Sequence, residues 1–81
     1  MENEFKTYLS DQNLSKNTIT SYLYAIRQFE AKYDKLSKQN LRDYKVYLIE
    51  HYKPQTVNLR IRAINCYLES IKKEQWKLPS V

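Results

Sequence analysis

The chain has 81 residues, enough for one small domain with a modest hydrophobic core, and this length argues against a multi-step enzyme site. It contains no glycine and two prolines, and its apolar residues recur at intervals of three and four, a pattern that favours helices over strands. The formal net charge is +5, the one cysteine cannot form an internal disulfide, and no leader-like or long apolar segment indicates secretion or membrane insertion, so a cytoplasmic location is expected.

Two helices are predicted in the first half of the chain. A short one covers about residues 3–12, and a longer one follows Ser15 and ends near Lys32. Ser15 suits the N-cap position because its hydroxyl can accept a hydrogen bond from an otherwise unpaired backbone N–H. The predicted core stripe of the longer helix is Ile19, Tyr22, Leu23, Ile26 and Phe29. Its opposite face is polar and almost uncharged.

Two more helices are predicted in the second half. Ser37 is a second cap, before a helix over about residues 38–50. The fourth helix begins at Pro54, because the first turn does not need the N–H that proline lacks, and it continues to about Lys73. Apolar residues on more than one of its faces predict a central position. Residues 75–81 show no helical period and are interpreted as a linker after a domain formed by residues 1–74.

Positive charge without acidic neighbours occurs in two stretches, residues 13–29 and residues 53–65. The charged side chains there are Lys16, Arg27, Lys53, Arg60 and Arg62. If the fold brings the two stretches together, they form one surface suited to phosphate groups. The alternative is that a mildly basic surface only keeps a small protein soluble.

Two groups of motifs, in order along the chain, carry a family resemblance. The first is Phe5-x-x-Tyr8-Leu9, then Leu14-Ser15-x-Asn17-Thr18-Ile19-x-x-Tyr22, then Ile26-x-x-Phe29. The second is Leu41-x-x-Tyr44-x-x-x-Leu48, then Pro54-x-Thr56-Val57-Asn58-x-x-Ile61-x-Ala63-Ile64. Together these motifs, which span residues 4–72, resemble the core-binding domain of phage-integrase-type tyrosine recombinases from phages and other mobile elements.

The resemblance implies a SAM-like bundle of four or five helices that closes over one side of a recombination site on double-stranded DNA. The helices that face DNA in this family would be those after Ser15 and from Pro54, which are the two acid-free stretches. The resemblance also implies that the catalytic cluster belongs to a separate domain after residue 81, that no cofactor is needed, and that the full-length protein assembles as a multimer on DNA. Leu59 departs from the family, which often has arginine there, and Arg60 is the nearest substitute.

A polar, uncharged helix face suits DNA, because amide and hydroxyl groups can bond phosphates or base edges without burying an unpaired charge. The candidate DNA-binding residues are Lys16, Asn17, Thr18, Thr20, Ser21, Tyr24, Arg27, Lys53, Thr56, Asn58, Arg60, Arg62 and Asn65. For Asn17 and Thr18, completion of the helix start is an alternative role. Tyr22 is assigned to the core.

Other functions are weighed against this one. A single cysteine and a single histidine, His51, cannot provide a typical structural zinc site, so no metal is expected. A helical protein-interaction module is the second hypothesis, and its binding would depend little on salt. Its aromatic anchors would be Tyr24, Tyr47, Tyr67 and Trp76. A helix-turn-helix regulator would need a tight turn and usually a dimer surface, and neither is evident.

Overall fold

Four α-helices follow one another in the computed structural model, which describes residues 2–81. They are α1 (Glu2–Asp11), α2 (Lys16–Lys32), α3 (Lys38–His51) and α4 (Pro54–Ser70), and a 3-10 turn covers Glu74–Trp76. The part of the chain that the structure describes contains no strand, which confirms the predicted all-α bundle. None of its helices has the length and apolar character needed to cross a membrane.

The predicted capping residues are confirmed. Ser15 Oγ accepts a hydrogen bond from the Thr18 N–H at 3.2 Å, and Ser37 Oγ accepts one from the Asn40 N–H at 3.1 Å. Pro54 opens α4, as its missing N–H predicts. The starts of α2, α3 and α4 are therefore set by residues within four positions of them, which is why the sequence could locate these starts.

The end of α4 differs from the prediction, because the helix stops at Ser70 rather than near Lys73. Lys72 takes a left-handed backbone conformation with φ at 61°. The Lys72 N–H bonds the carbonyl of Glu69, and the Lys73 N–H reaches back to the carbonyl of Leu68 at 2.8 Å. This is the Schellman pattern of helix termination, formed here without glycine. A lysine gives no sequence signal for it.

The hydrophobic core is organised around α4, which packs against α1, α2, α3 and the 3-10 turn. The predicted apolar stripes turn inward, and Tyr22 is buried as expected. Phe5 of α1 meets Tyr67 of α4 edge to face, with ring centroids 5.2 Å apart. The buried α4 side chains are Val57, Ile61, Ala63, Ile64, Tyr67 and Leu68. Contact from several sides confirms the central position predicted for this helix.

The last residues run back along α4 instead of leaving the bundle. Leu78 is buried, with 8% of its surface exposed, and it extends the core beyond the four helices. The side chains of Asn58 and Asn65 bond the backbone of this segment. Long-range contacts of this kind have no helical period, so they could not be predicted from the sequence.

Replacing Leu68 by alanine is expected to lower the free energy of unfolding by roughly 2–5 kcal/mol, because truncation of a fully buried leucine leaves a cavity. Leu59→Ala is the matched control, since it makes the same change on the same helix at a side chain that is 38% exposed. The control should cost at most about 1 kcal/mol. Urea unfolding followed by circular dichroism measures both, and equal losses would contradict the central role of α4.

Candidate nucleic-acid interface

The two acid-free stretches lie side by side, because α2 packs directly against α4. Asn17, Thr18, Ser21 and Tyr22 of α2 line a shallow groove of about 210 Å³ together with Leu59 and Arg62 of α4. We call this the α2–α4 groove. The first half of α2 therefore faces the middle of α4, and four of the predicted site residues (Asn17, Thr18, Ser21 and Arg62) line one surface.

Arg62 supplies the positive charge of the α2–α4 groove. It is exposed, and the ion pairs found within residues 2–81, Arg27 with Glu2 and Lys77 with Glu69, do not include it. Asn17 and Ser21 are also exposed. A guanidinium beside neutral amide and hydroxyl groups is chemically suited to an anionic backbone such as that of DNA.

Thr18 has a structural role at the start of α2. Its backbone N–H bonds Ser15 Oγ, and the Ser15 hydroxyl donates to Thr18 Oγ1 at 3.0 Å. The alternative considered for Thr18 from the sequence, completion of the helix start, is thus present in the structure. Its hydroxyl is partly engaged before any ligand binds.

Arg60 does not line the α2–α4 groove but lies in a cluster of aromatic and amide side chains. Its guanidinium carbon is 4.5 Å from the ring centroid of Tyr24 and 4.9 Å from that of Tyr52. Its Nη1 donates to Gln28 Oε1 at 2.6 Å. Gln28 Oε1 also accepts from the Tyr44 hydroxyl at 2.7 Å, while Gln28 Nε2 donates to the Tyr52 hydroxyl at 2.9 Å. These five residues form the Arg60 cluster.

The Arg60 cluster changes the pKa values of two tyrosines in opposite directions. Burial raises the pKa of Tyr44 to about 12, although the charge of Arg60 opposes the rise. The hydrogen bond from Gln28, followed by the contact with Arg60, lowers the pKa of Tyr52. Gln28 was not among the predicted site residues. Its partners lie in α3, directly after α3 and in α4, so the sequence offered no signal for its role.

Three predicted residues of α2 lie on the side that faces α1. Lys16, Thr20 and Arg27 line a second depression together with Lys6 and Ser10. Arg27 Nε is 2.6 Å from Glu2 Oε1 in an exposed ion pair, which contributes little to stability. The predicted face of α2 is thus split between two surfaces.

The remaining predicted residues belong to α4 and the position before it. Lys53 is exposed and directly precedes α4, and Thr56 is half-buried in its first turn. Asn58 and Asn65 are half-buried, and their amides already bond the main chain of Val81 and Leu78. The fold therefore does not bring all thirteen candidates to one place.

Metal-binding geometry is absent from residues 2–81, where no three His, Cys, Asp or Glu side chains are grouped closely enough to hold an ion. Cys66 is half-buried on α4, and burial raises the pKa of its thiol. A thiol with a raised pKa is a poor nucleophile near neutral pH. The groups of the described surface that are suited to bind a ligand are thus its cations and its hydrogen-bond donors and acceptors.

A comparison with protein families identifies a match over nearly the whole chain. The family described as the phage integrase N-terminal SAM-like domain matches residues 2–78. Neither the curated proteins nor the solved structures gave a match. The family match includes α1 to α4, the 3-10 turn and the first residues after it.

Substituting Gln28 by leucine should raise the pKa of Tyr52 towards its ordinary value, because the strongest hydrogen bond to its phenolate is lost. It should also cost roughly 1–3 kcal/mol of stability, since the buried Tyr44 hydroxyl loses its short partner. NMR of isotope-labelled tyrosine rings over a pH series and urea unfolding measure the two effects. Gln39→Leu, which removes an exposed amide on α3, is the control and should change neither. An unchanged pKa of Tyr52 in the Gln28 variant would refute the cluster.

Proposed function

The chain belongs to the family of phage integrase N-terminal SAM-like domains, and on this premise we propose that it binds double-stranded DNA as one arm of a clamp around a recombination site. In this proposal the domain positions the protein on DNA in site-specific recombination and DNA integration. Full affinity comes from a multimer in which each protein grips the duplex with two arms. The unpaired Cys66 suits a reducing cytoplasm as the place of action.

The observation that carries the proposal is the α2–α4 groove. Two chain segments without acidic residues meet there, and no acidic side chain lines the groove. Arg62 is the exposed cation of the groove, and Asn17 and Ser21 flank it with neutral donors. This combination suits contacts to phosphate oxygens, which would fix the orientation of the domain without reading base sequence.

We assign supporting roles to the other candidates. Tyr24 is 51% exposed about one helical turn after Ser21, and the charge of Arg60 near its ring adds to the local positive potential. Because Arg60 is held by Gln28, we expect it to act through this potential rather than by direct contact. The further predicted residues form two flanks, one on the α1 side of α2 and one at the start of α4. They are Lys16, Thr20, Arg27, Lys53 and Thr56.

We propose that strand cleavage belongs to a separate domain of the full-length protein. A tyrosine nucleophile for phosphoryl transfer needs several cations around one phosphate to stabilise the developing charge. Tyr52 has a lowered pKa and one guanidinium beside it, but its hydroxyl oxygen already accepts a hydrogen bond from Gln28. Tyr44 is buried with a raised pKa. These environments support a packing role for both residues.

The protein-interaction hypothesis has weaker support, because its four aromatic anchors do not form an exposed patch. Tyr67 is buried against Phe5. Tyr47 and Trp76 are half-buried, and each is covered by an ammonium group, of Lys32 at 3.8 Å and of Lys73 at 4.6 Å from the ring centroid. Only Tyr24 is largely exposed, and its ring lies against the guanidinium of Arg60.

Arg62→Ala should weaken binding of a labelled DNA duplex several-fold and reduce the slope of log affinity against log salt by about one, as expected for the loss of one phosphate contact. Fluorescence anisotropy over a series of salt concentrations measures both quantities. Lys35→Ala is the matched control, because it removes one exposed charge just beyond the other end of α2. Equal losses in the two variants, or binding that does not depend on salt, would argue against the α2–α4 groove.

A further inference from the structure

Two asparagine side chains of α4 each pair with one residue of the segment Lys77–Val81, which we call the strap. Asn65 Nδ2 donates to the carbonyl of Leu78 at 2.9 Å, and the Leu78 N–H donates to Asn65 Oδ1 at 2.8 Å. Asn58 repeats the arrangement with Val81, at 3.1 Å and 2.8 Å. Each amide thus satisfies both the donor and the acceptor of one main-chain residue, as a neighbouring strand would.

The spacing of the two pairs matches an extended chain. Asn58 and Asn65 are seven residues apart on one side of α4, which corresponds to about 10.5 Å along the helix axis. Leu78 and Val81 are three residues apart, which is one turn of a polyproline II chain, the conformation of Lys77 with φ at −56° and ψ at 146°. Such a turn spans about 9 Å and brings both residues to the same side of the chain. The helix and the strap run in opposite directions, and the two amides meet the strap without a mismatch in length. This fit is specific for register, because a shift by one residue would break both pairs.

Two side chains of the strap and one further main-chain contact also hold it against the bundle. The Leu78 side chain is buried in the core, and Lys45 Nζ of α3 donates to the carbonyl of Pro79 at 2.7 Å. Lys77 forms an ion pair with Glu69 of α4. Apart from the Lys77–Glu69 ion pair, every polar contact to the strap named here is made to its main-chain atoms. The site therefore accepts varied sequence at the other strap positions as long as the register is kept.

We propose that Asn58 and Asn65 form a binding site for an extended main chain, that its ligand is the strap, and that the strap stays seated when DNA is bound. The last part rests on the proposed function. Arg62 lies between the two asparagines on the same side of α4, and it lines a groove together with Lys77 and Ser80 of the strap. The strap thus forms a wall next to Arg62. Of the three polar residues on this side of α4, Asn58, Arg62 and Asn65, only Arg62 then remains available to DNA. Asn58 and Asn65, both predicted to contact DNA, are used for the strap instead.

Amide hydrogen exchange on the full chain tests the site without DNA. The Leu78 and Val81 amides should be protected in the parent protein, and in Asn58→Ala/Asn65→Ala they should exchange roughly tenfold faster or more. The Leu68 amide in α4 should stay unchanged and report an intact fold. Val81→Ala keeps the N–H and should keep the protection of residue 81. Fast exchange at both strap amides in the parent, or unchanged protection in the double variant, would overturn the proposal.

A titration with duplex DNA tests the second part by following the side-chain amides in NMR spectra. The Asn17 amide and the Arg62 guanidinium should shift, whereas the Asn58 and Asn65 amides should keep their positions and the strap its slow exchange. Shifts of both strap-bound amides together with faster exchange at Leu78 would show that DNA displaces the strap, contrary to the proposal. If no signal moves at any salt concentration, the proposed DNA function fails, and the exchange experiment alone still decides whether the strap site exists.

Discussion

The packing of α4 against every other element is the constraint on which the structure depends. A helix contacted by α1, α2, α3 and the 3-10 turn has little surface left for solvent, so its apolar residues occupy most of its circumference. The polar residues are confined to what remains. Asn58, Arg62 and Asn65 share one narrow stripe, and this confinement brings the strap and the groove next to each other. The central position of α4 thus determines both how the bundle packs and where the candidate DNA-binding groove lies.

The Arg60 cluster shows how the bundle accommodates a cation near its core. A partly buried guanidinium needs partners, and here it has two aromatic faces and an amide oxygen instead of a carboxylate. An acidic partner would have neutralised the positive surface. By using Gln28, Tyr24 and Tyr52, the fold satisfies the guanidinium and keeps its charge. Among the residues that the structure describes, no buried polar side-chain atom lacks a partner.

Much of the fold was predictable because its signals are local. The caps at Ser15 and Ser37, the first turn at Pro54 and the apolar stripes all act within one or two helical turns. The candidate site was predictable only as a set of segments. Once α2 and α4 pack together, Asn17, Ser21 and Arg62 share a groove, whereas Lys16, Thr20 and Arg27 turn to the other side of α2. The sequence tells on which face of a helix a residue lies, but it does not tell which other helix packs against that face.

The sequence by itself determined the helices, their inward faces, the acid-free charge of two segments and the family to which the chain belongs. These properties depend on residue type and on spacing within a helix, so they can be read along the chain. Tertiary structure alone decided that Gln28 joins Arg60 to two tyrosines, and that Asn58 and Asn65 hold the strap. Those contacts join residues 13–32 positions apart, and whether an amide meets a phosphate, an arginine or a main chain depends on which partner the folded bundle places within hydrogen-bond distance.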